Sequence, residues 1–172
     1  MKKHIWDSET ECAKFLSNFC EMSGLFKILE VGVWQGATSV YLEKVSSEFI
    51  GIDIVNEQIK SELIKSKTLV GDSVEVMKTL ESNYFDLIFI DGEHTTSAVV
   101  RDFNNYKKFV NSKGYVVFDD YGFLPEVKKA VDSINDPDFI KVGRINLGSK
   151  NSNKNSLYLK DGLNSSFIFQ KK

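Results

Sequence analysis

Residues 27–39 read Lys-Ile-Leu-Glu-Val-Gly-Val-Trp-Gln-Gly-Ala-Thr-Ser: a short apolar run, two glycines, and small residues that start a helix. This pattern is a buried strand turning tightly into a helix, with backbone left bare where a ligand can approach. Glu30 restricts what that ligand can be. In a dinucleotide-binding turn a pyrophosphate sits over the glycines at the helix N-terminus. An acid in that place repels phosphate and suits a cationic group instead.

At 172 residues the chain fits one domain with a sizeable core, and thirteen Phe supply bulk without disulfides. A single domain spanning residues 1–172 is expected, with an N-terminal helix in 1–23, a ligand-binding core in 24–145 and a loop with terminal strands in 146–172. The net charge of −2 argues against a broad nucleic-acid or anionic-membrane footprint. Cys12 and Cys20 lack metal-ligand spacing and read as thiols rather than a disulfide or zinc site. Acids at positions 7, 9 and 11 break any leader-like apolar stretch, and no run reaches membrane-spanning length. The expected setting is cytoplasmic.

The spacing of apolar residues predicts a helix over 8–22, a strand over 27–31, a helix over 38–45 and a strand over 49–54. A helix over 56–66 and a brief strand at 69–70 follow, and Ser73 is placed to cap a helix reaching residue 80. Residues 84–91 are nearly continuous apolar residues, as in a strand buried on both faces. A helix over 95–111 carries Val99, Phe103, Tyr106 and Val110 on its inner face. A strand over 114–119, a helix over 125–134 and strands over 139–145, 157–160 and 167–170 complete the order, with a loop at 147–155. Alternating helices and buried strands imply an α/β fold: a mostly parallel sheet flanked by helices, closed by an antiparallel C-terminal strand.

In such sheets ligands bind beyond the carboxyl ends of the strands. Glu30, Asp53, Asp72, Asp91, Asp119 and Asp120 all fall there. Asp53, about twenty residues past the turn, is placed to accept from ribose hydroxyls, with Ile54 beside it. Asp72 and Ser73 stand where an adenine edge would lie. Each alone is as readily a strand-ending or capping residue. Together with Glu30 they point to S-adenosylmethionine, which carries both an ammonium and a sulfonium.

These residues resemble a known family. The turn formed by Glu30, Gly32, Gly36, Thr38 and Ser39 is similar to the first motif of class I S-adenosylmethionine-dependent methyltransferases, of Rossmann-like fold, and the likeness spans residues 24–145. Trp34 stands where many relatives have glycine. The resemblance implies that Glu30 and the backbone from Gly32 to Gly36 hold the methionine part of the cofactor, Asp53 the ribose, and Asp72 with Ser73 the adenine. Ile90-Asp91-Gly92-Glu93-His94, then Arg101-Asp102-Phe103, then the run from Gly114 to Asp119-Asp120-Tyr121 resemble the subgroup related to macrolide-sugar O-methyltransferases and cephalosporin-hydroxylase-like proteins. Thr95-Thr96 and Ser112-Lys113-Gly114 depart from its usual aromatic and Pro-Gly-Gly.

Asp91, Asp119 and Asp120 end neighbouring strands, and three carboxylates in one crevice repel one another. A divalent cation relieves the conflict, and oxygen ligands select Mg²⁺ or Ca²⁺. The subgroup resemblance also implies Mg²⁺ here. His94 and Asp91 are the two candidates for a general base. Arg101 and Asp102 read as a helix-surface pair or a support for the sheet, and Tyr121 as either acceptor-pocket lining or packing. The expected acceptor is a hydroxyl of a sugar or another polyhydroxylated small molecule, and a homodimer is expected to help close the site. The rival readings are a nicotinamide-dependent oxidoreductase and a non-catalytic binding module.

Overall fold

The computed structural model describes residues 7–55, 67–145 and 166–172. In chain order they form α1 (Asp7–Ser23), β1 (Lys27–Val31), α2 (Ser39–Val45), β2 (Glu48–Asp53), β3 (Lys67–Val70), α3 (Ser73–Val76), β4 (Phe85–Ile90), α4 (Thr96–Tyr106), β5 (Val110–Phe118), α5 (Pro125–Ser133), β6 (Phe139–Arg144) and β7 (Phe167–Lys171). The strands join in one sheet of order β3-β2-β1-β4-β5-β7-β6. The pairings among β1 to β5 are parallel, whereas β7 runs antiparallel to both β5 and β6. The α/β architecture expected from the sequence is the one that forms.

β4 shows why the sheet is covered on both sides. Leu87 and Phe89 enter one core with Leu16 and Cys20 of α1 and Leu42 of α2. Ile88 and Ile90 enter the other, with Val99 and Phe103 of α4 and Val131 of α5. Successive strand residues point to opposite faces, so a strand apolar on both faces needs two partners. Phe103 is the hub of the second core, its ring centroid 5.9, 5.3 and 5.7 Å from those of Phe118, Phe139 and Phe169.

Three local expectations differ from the structure. Asp72, not Ser73, caps α3, its carboxylate accepting the Val74 N–H at 2.8 Å. The helix is correspondingly short, ending in a 3-10 turn at Met77–Thr79. α4 stops at Tyr106 and passes through a 3-10 turn, Lys107–Phe109, directly into β5, four residues ahead of the expected strand start. The reason is tertiary: Val110 pairs with Phe85, and the Asn111 amide donates to the Tyr84 carbonyl and the Asp86 carboxylate. The helix expected over 56–66, the strand over 157–160 and the loop over 147–155 lie outside the described residues. Among the described residues no helix is long and apolar enough to cross a membrane.

Candidate active site

The parallel strands end along one edge, and the turn after β1 occupies its middle. Gly32 has φ +94, and a Cβ there would lie 2.1 Å from the Asp91 carbonyl oxygen, so no other residue fits. Its N–H bonds the Ile52 carbonyl, while Asp91 N–H bonds the Val31 carbonyl, both at 2.8 Å. The ends of β1, β2 and β4 are thereby tied together. Gly36, at φ +83, closes the turn with its N–H on the Val33 carbonyl at 2.8 Å.

Between the glycines, Trp34 is left-handed at φ +46. The Asp53 carboxylate accepts the Val33 N–H at 2.8 Å and the Trp34 N–H at 2.7 Å on one oxygen, and the Val55 N–H at 3.0 Å on the other. Successive backbone N–H groups of this kind form a concavity that binds anions. Here the chain's own carboxylate fills it, so two donors that a pyrophosphate would use are already taken.

A cavity of about 630 Å³ opens over this turn. Glu30, Gly32, Trp34, Thr38, Asp53, Ile54, Asp72, Ser73, Asp91, His94, Asp119 and Asp120 all line it. Gly36 and Ser39 are not among its lining residues. Gly36 shapes the turn from behind, and Ser39 is buried, its hydroxyl donating to the Glu30 carboxylate. Tyr121 does not line the cavity either. Its hydroxyl donates to Asp132 at 2.8 Å and its ring packs on Phe167 at 4.7 Å, which makes it a packing residue.

Asp102 corrects the surface-pair reading. Its side chain is 3% exposed and it lines the cavity, accepting from Arg101 Nε at 3.3 Å and lying 3.5 Å from the Ser73 hydroxyl. Tyr106 donates its hydroxyl to the Ser73 carbonyl at 2.7 Å, so α4 holds the first residue of α3 by both its side chain and its backbone. The signal was present in the sequence. Asp102 falls on the same helical stripe as Val99, Phe103 and Tyr106, and an acid on a buried stripe needs a purpose.

At the other end of the cavity, ligating atoms of Asp91, His94 and Asp120 lie within 4.8 Å of one another. His94 Nε2 stands 3.5 Å from Asp91 Oδ1 and 3.4 Å from Asp120 Oδ2. The compact cluster thus contains His94 where the sequence reading placed Asp119. Asp119 lines the same cavity, but its Oδ1 takes the Ser166 hydroxyl at 2.7 Å. Ser166 was not singled out from the sequence, because nothing local places it beside Asp119.

The electrostatics follow from crowding. Burial first, then the Asp119 and Asp120 charges, push the Asp91 carboxyl up to about 8, against the opposing hydrogen bond from His94. Burial holds Glu30 well above the usual carboxylate range, with Ser39 opposing and Asp91, Asp119 and Asp53 reinforcing. The hydrogen bond to Asp91 raises His94 despite partial burial. Among the described residues, eight acids line the cavity (Glu30, Asp53, Asp72, Asp91, Glu93, Asp102, Asp119, Asp120), and Arg101 is the one Lys or Arg. Arg101 points at Asp102. Crowding of this kind is relieved by protonation, as at Asp91 and Glu30, or by a cationic occupant.

Residues 29–121 match the methyltransferase domain family, and the chain belongs to that family. An uncharacterized protein of Acanthamoeba polyphaga mimivirus is 33% identical over 140 residues, which cover 69% of this chain; the chain spans 63% of that relative's length. Among solved structures, the fold is similar to an O-methyltransferase from Bacillus cereus in complex with SAH, with TM-score 0.73 and 17% identity over 93% of this chain and 80% of that one. It is also similar to the O-methyltransferase of tomaymycin synthesis from Streptomyces achromogenes in complex with SAM, with TM-score 0.71 and 15% identity over 99% and 91% of the two chains.

Proposed function

We propose that this methyltransferase moves the methyl group of S-adenosylmethionine to a hydroxyl of a small polyhydroxylated molecule, with a sugar as the preferred class, assisted by Mg²⁺. The observation that carries the reading is the cavity's acid surplus, next to a turn whose anion-binding donors are already filled by Asp53. The same occupation disfavours a nicotinamide dinucleotide. The solved O-methyltransferases in complex with SAH or SAM lend the cofactor assignment support by analogy.

The residues present fit both groups. The turn at Gly32, with Glu30 beside it on the cavity wall, suits the methionine portion; Asp53 suits the ribose, and Asp72 with Ser73 the adenine. Asp91 and Asp120 offer carboxylate oxygens for a divalent cation, Asp119 adds charge beside them, and the nearby His94 Nε2 is left free to take a proton. When bound, the cofactor supplies an electrophilic methyl on sulfur and the cation a Lewis acid that eases deprotonation of a hydroxyl.

The chain's own work is alignment and proton handling. The cavity walls hold the acceptor in line with the turn, and proximity of that kind contributes heavily to rate. The leaving proton has two acceptors within the site, His94 at Nε2 and Asp91 at its carboxylate.

Calorimetric titration with S-adenosylmethionine and with NADH tests the cofactor. Binding of the first and not the second is expected, and the reverse ends the reading. Methyl transfer to a panel of sugars and catechols, with and without EDTA, tests the metal. Activity that survives thorough chelation removes the cation and leaves the methyl transfer.

A further inference from the structure

We propose that Ser166, backed by Cys12, is a positioning residue that fixes the Asp119 carboxylate on the cavity wall for cofactor and cation binding. This rests on the methyltransferase reading above and adds residues that it does not use.

The juxtaposition is made by topology. Phe118 of β5 pairs with Phe167 of β7, so the residues one step beyond them, Asp119 and Ser166, face each other across the strand ends. Ser166 is fully buried, and its hydroxyl donates to Asp119 Oδ1 at 2.7 Å. Cys12 of α1, 4% exposed, places its sulfur 3.1 Å from the Ser166 oxygen and 3.8 Å from Asp119 Oδ1. Three elements separated by 47 and 154 residues of chain therefore converge on one carboxylate.

The direction of the bonds follows from proton count. A carboxylate only accepts, so Ser166 gives Asp119 its single proton, and the Ser166 oxygen is left to accept from the Cys12 thiol. Burial and the Asp119 charge hold that thiol in its protonated form. The backbone N–H of Asp120 also bonds the Asp119 carboxylate, which is thus held from two directions. A buried Ser–Cys pair costs free energy unless it is fully bonded, and an apolar pair would pack there without that requirement. Here the bonds of both side chains run toward a residue of the cavity wall. Without them, Asp119 would face Asp91, Asp120 and Glu30 with less to oppose their repulsion.

The test measures binding rather than turnover alone. S-adenosylmethionine affinity is read by calorimetry and Mn²⁺ affinity by the electron paramagnetic resonance signal of the free ion. Wild type is compared with Ser166→Ala, Ser166→Thr, Asp119→Asn and the Ser166→Ala/Asp119→Asn double variant. Loss of a partner that orients a ligating group typically weakens binding on the order of 10–100-fold. Ser166→Ala is expected in that range for at least one of the two ligands, and Ser166→Thr close to wild type. In the Asp119→Asn background Ser166→Ala should add little, because residues acting through one another are not additive.

A Ser166→Ala protein that matches wild type for both ligands overturns the proposal, as does an effect equally large in the Asp119→Asn background. Should the alanine variant not fold, Ser166→Cys keeps a weaker donor of similar size. It is expected to weaken binding partially, and parity with wild type overturns the proposal. A wild type that binds neither ligand overturns the methyltransferase reading and this one together. A wild type that binds both, with unaffected variants, overturns this one alone.

Discussion

The Trp34 backbone N–H lies 2.7 Å from the Asp53 carboxylate oxygen that Val33 also reaches at 2.8 Å. The last residue of β2 thus locks the turn that follows β1. Asp53→Asn keeps an oxygen for the Val33 and Trp34 bonds but turns its NH2 on the Val55 N–H, and should lose about 1 kcal/mol, whereas Asp53→Leu leaves all three donors without the side chain and should lose about 1–3 kcal/mol. Both should weaken S-adenosylmethionine binding. Urea denaturation with calorimetry separates the two effects.

Gly32→Ala should be among the most damaging single changes, since its Cβ would sit 2.1 Å from a backbone oxygen. A loss above about 4 kcal/mol, or failure to fold, is expected. Gly24→Ala is the control: φ is similarly positive at +69, but the nearest atom to a Cβ is 4.0 Å away. Only the conformational cost of about 1–2 kcal/mol should appear there. Equal losses at the two positions would contradict the close approach of β1 and β4.

Glu30→Gln should separate stability from function. The wild-type carboxyl is 1% exposed and surrounded by other acids, so a neutral isostere should raise the melting temperature of the ligand-free protein by a few degrees, about 2–4 °C per kcal/mol gained. Cofactor affinity should fall sharply. Ser39→Ala should act oppositely on stability and cost about 1–3 kcal/mol, because it removes the hydroxyl that donates to Glu30.

Asp91 gives a pH dependence of definite sign. Its folded-state carboxyl lies near 8, above the ordinary 3.8, so the folded protein holds a proton that the unfolded chain gives up. The associated stability is present at low pH and is lost as pH rises from about 4 through about 8. His94, also raised, contributes in the same direction above its ordinary 6.5. Thermal melts in EDTA across this range should decline with pH, and Asp91→Asn should flatten the decline. Mg²⁺ should restore wild-type stability most strongly at the alkaline end, where the ligand is deprotonated. A slope identical in the variant would remove Asp91 as its source.

The sheet was legible from residue order because β4 is apolar at nearly every position and the glycine turn follows β1 in the manner of a ligand-binding edge. The acids at the strand ends were legible for the same reason. What escaped depends on contacts made across the sheet. The early start of β5 is set by Val110 meeting Phe85, and the placement of Ser166 by a register between strands 47 residues apart. Asp102 was hidden differently: beside Arg101 it looked like a surface ion pair, although its helical phase already placed it inward. His94 joined the carboxylate cluster where Asp119 was expected because β5 ends with Asp119 turned toward β7.

β7 lies between β5 and β6, yet the ribosome delivers β6 first. That earlier strand, at the edge of the sheet, emerges before β7, the strand it pairs with, and must wait as an unpaired ribbon until the later one slots in. A nascent chain that stops short of residue 166 can assemble the glycine turn while leaving the Asp119 wall unbraced. In this topology the Asp119 wall is therefore completed late, when β7 inserts into the gap between two strands made before it.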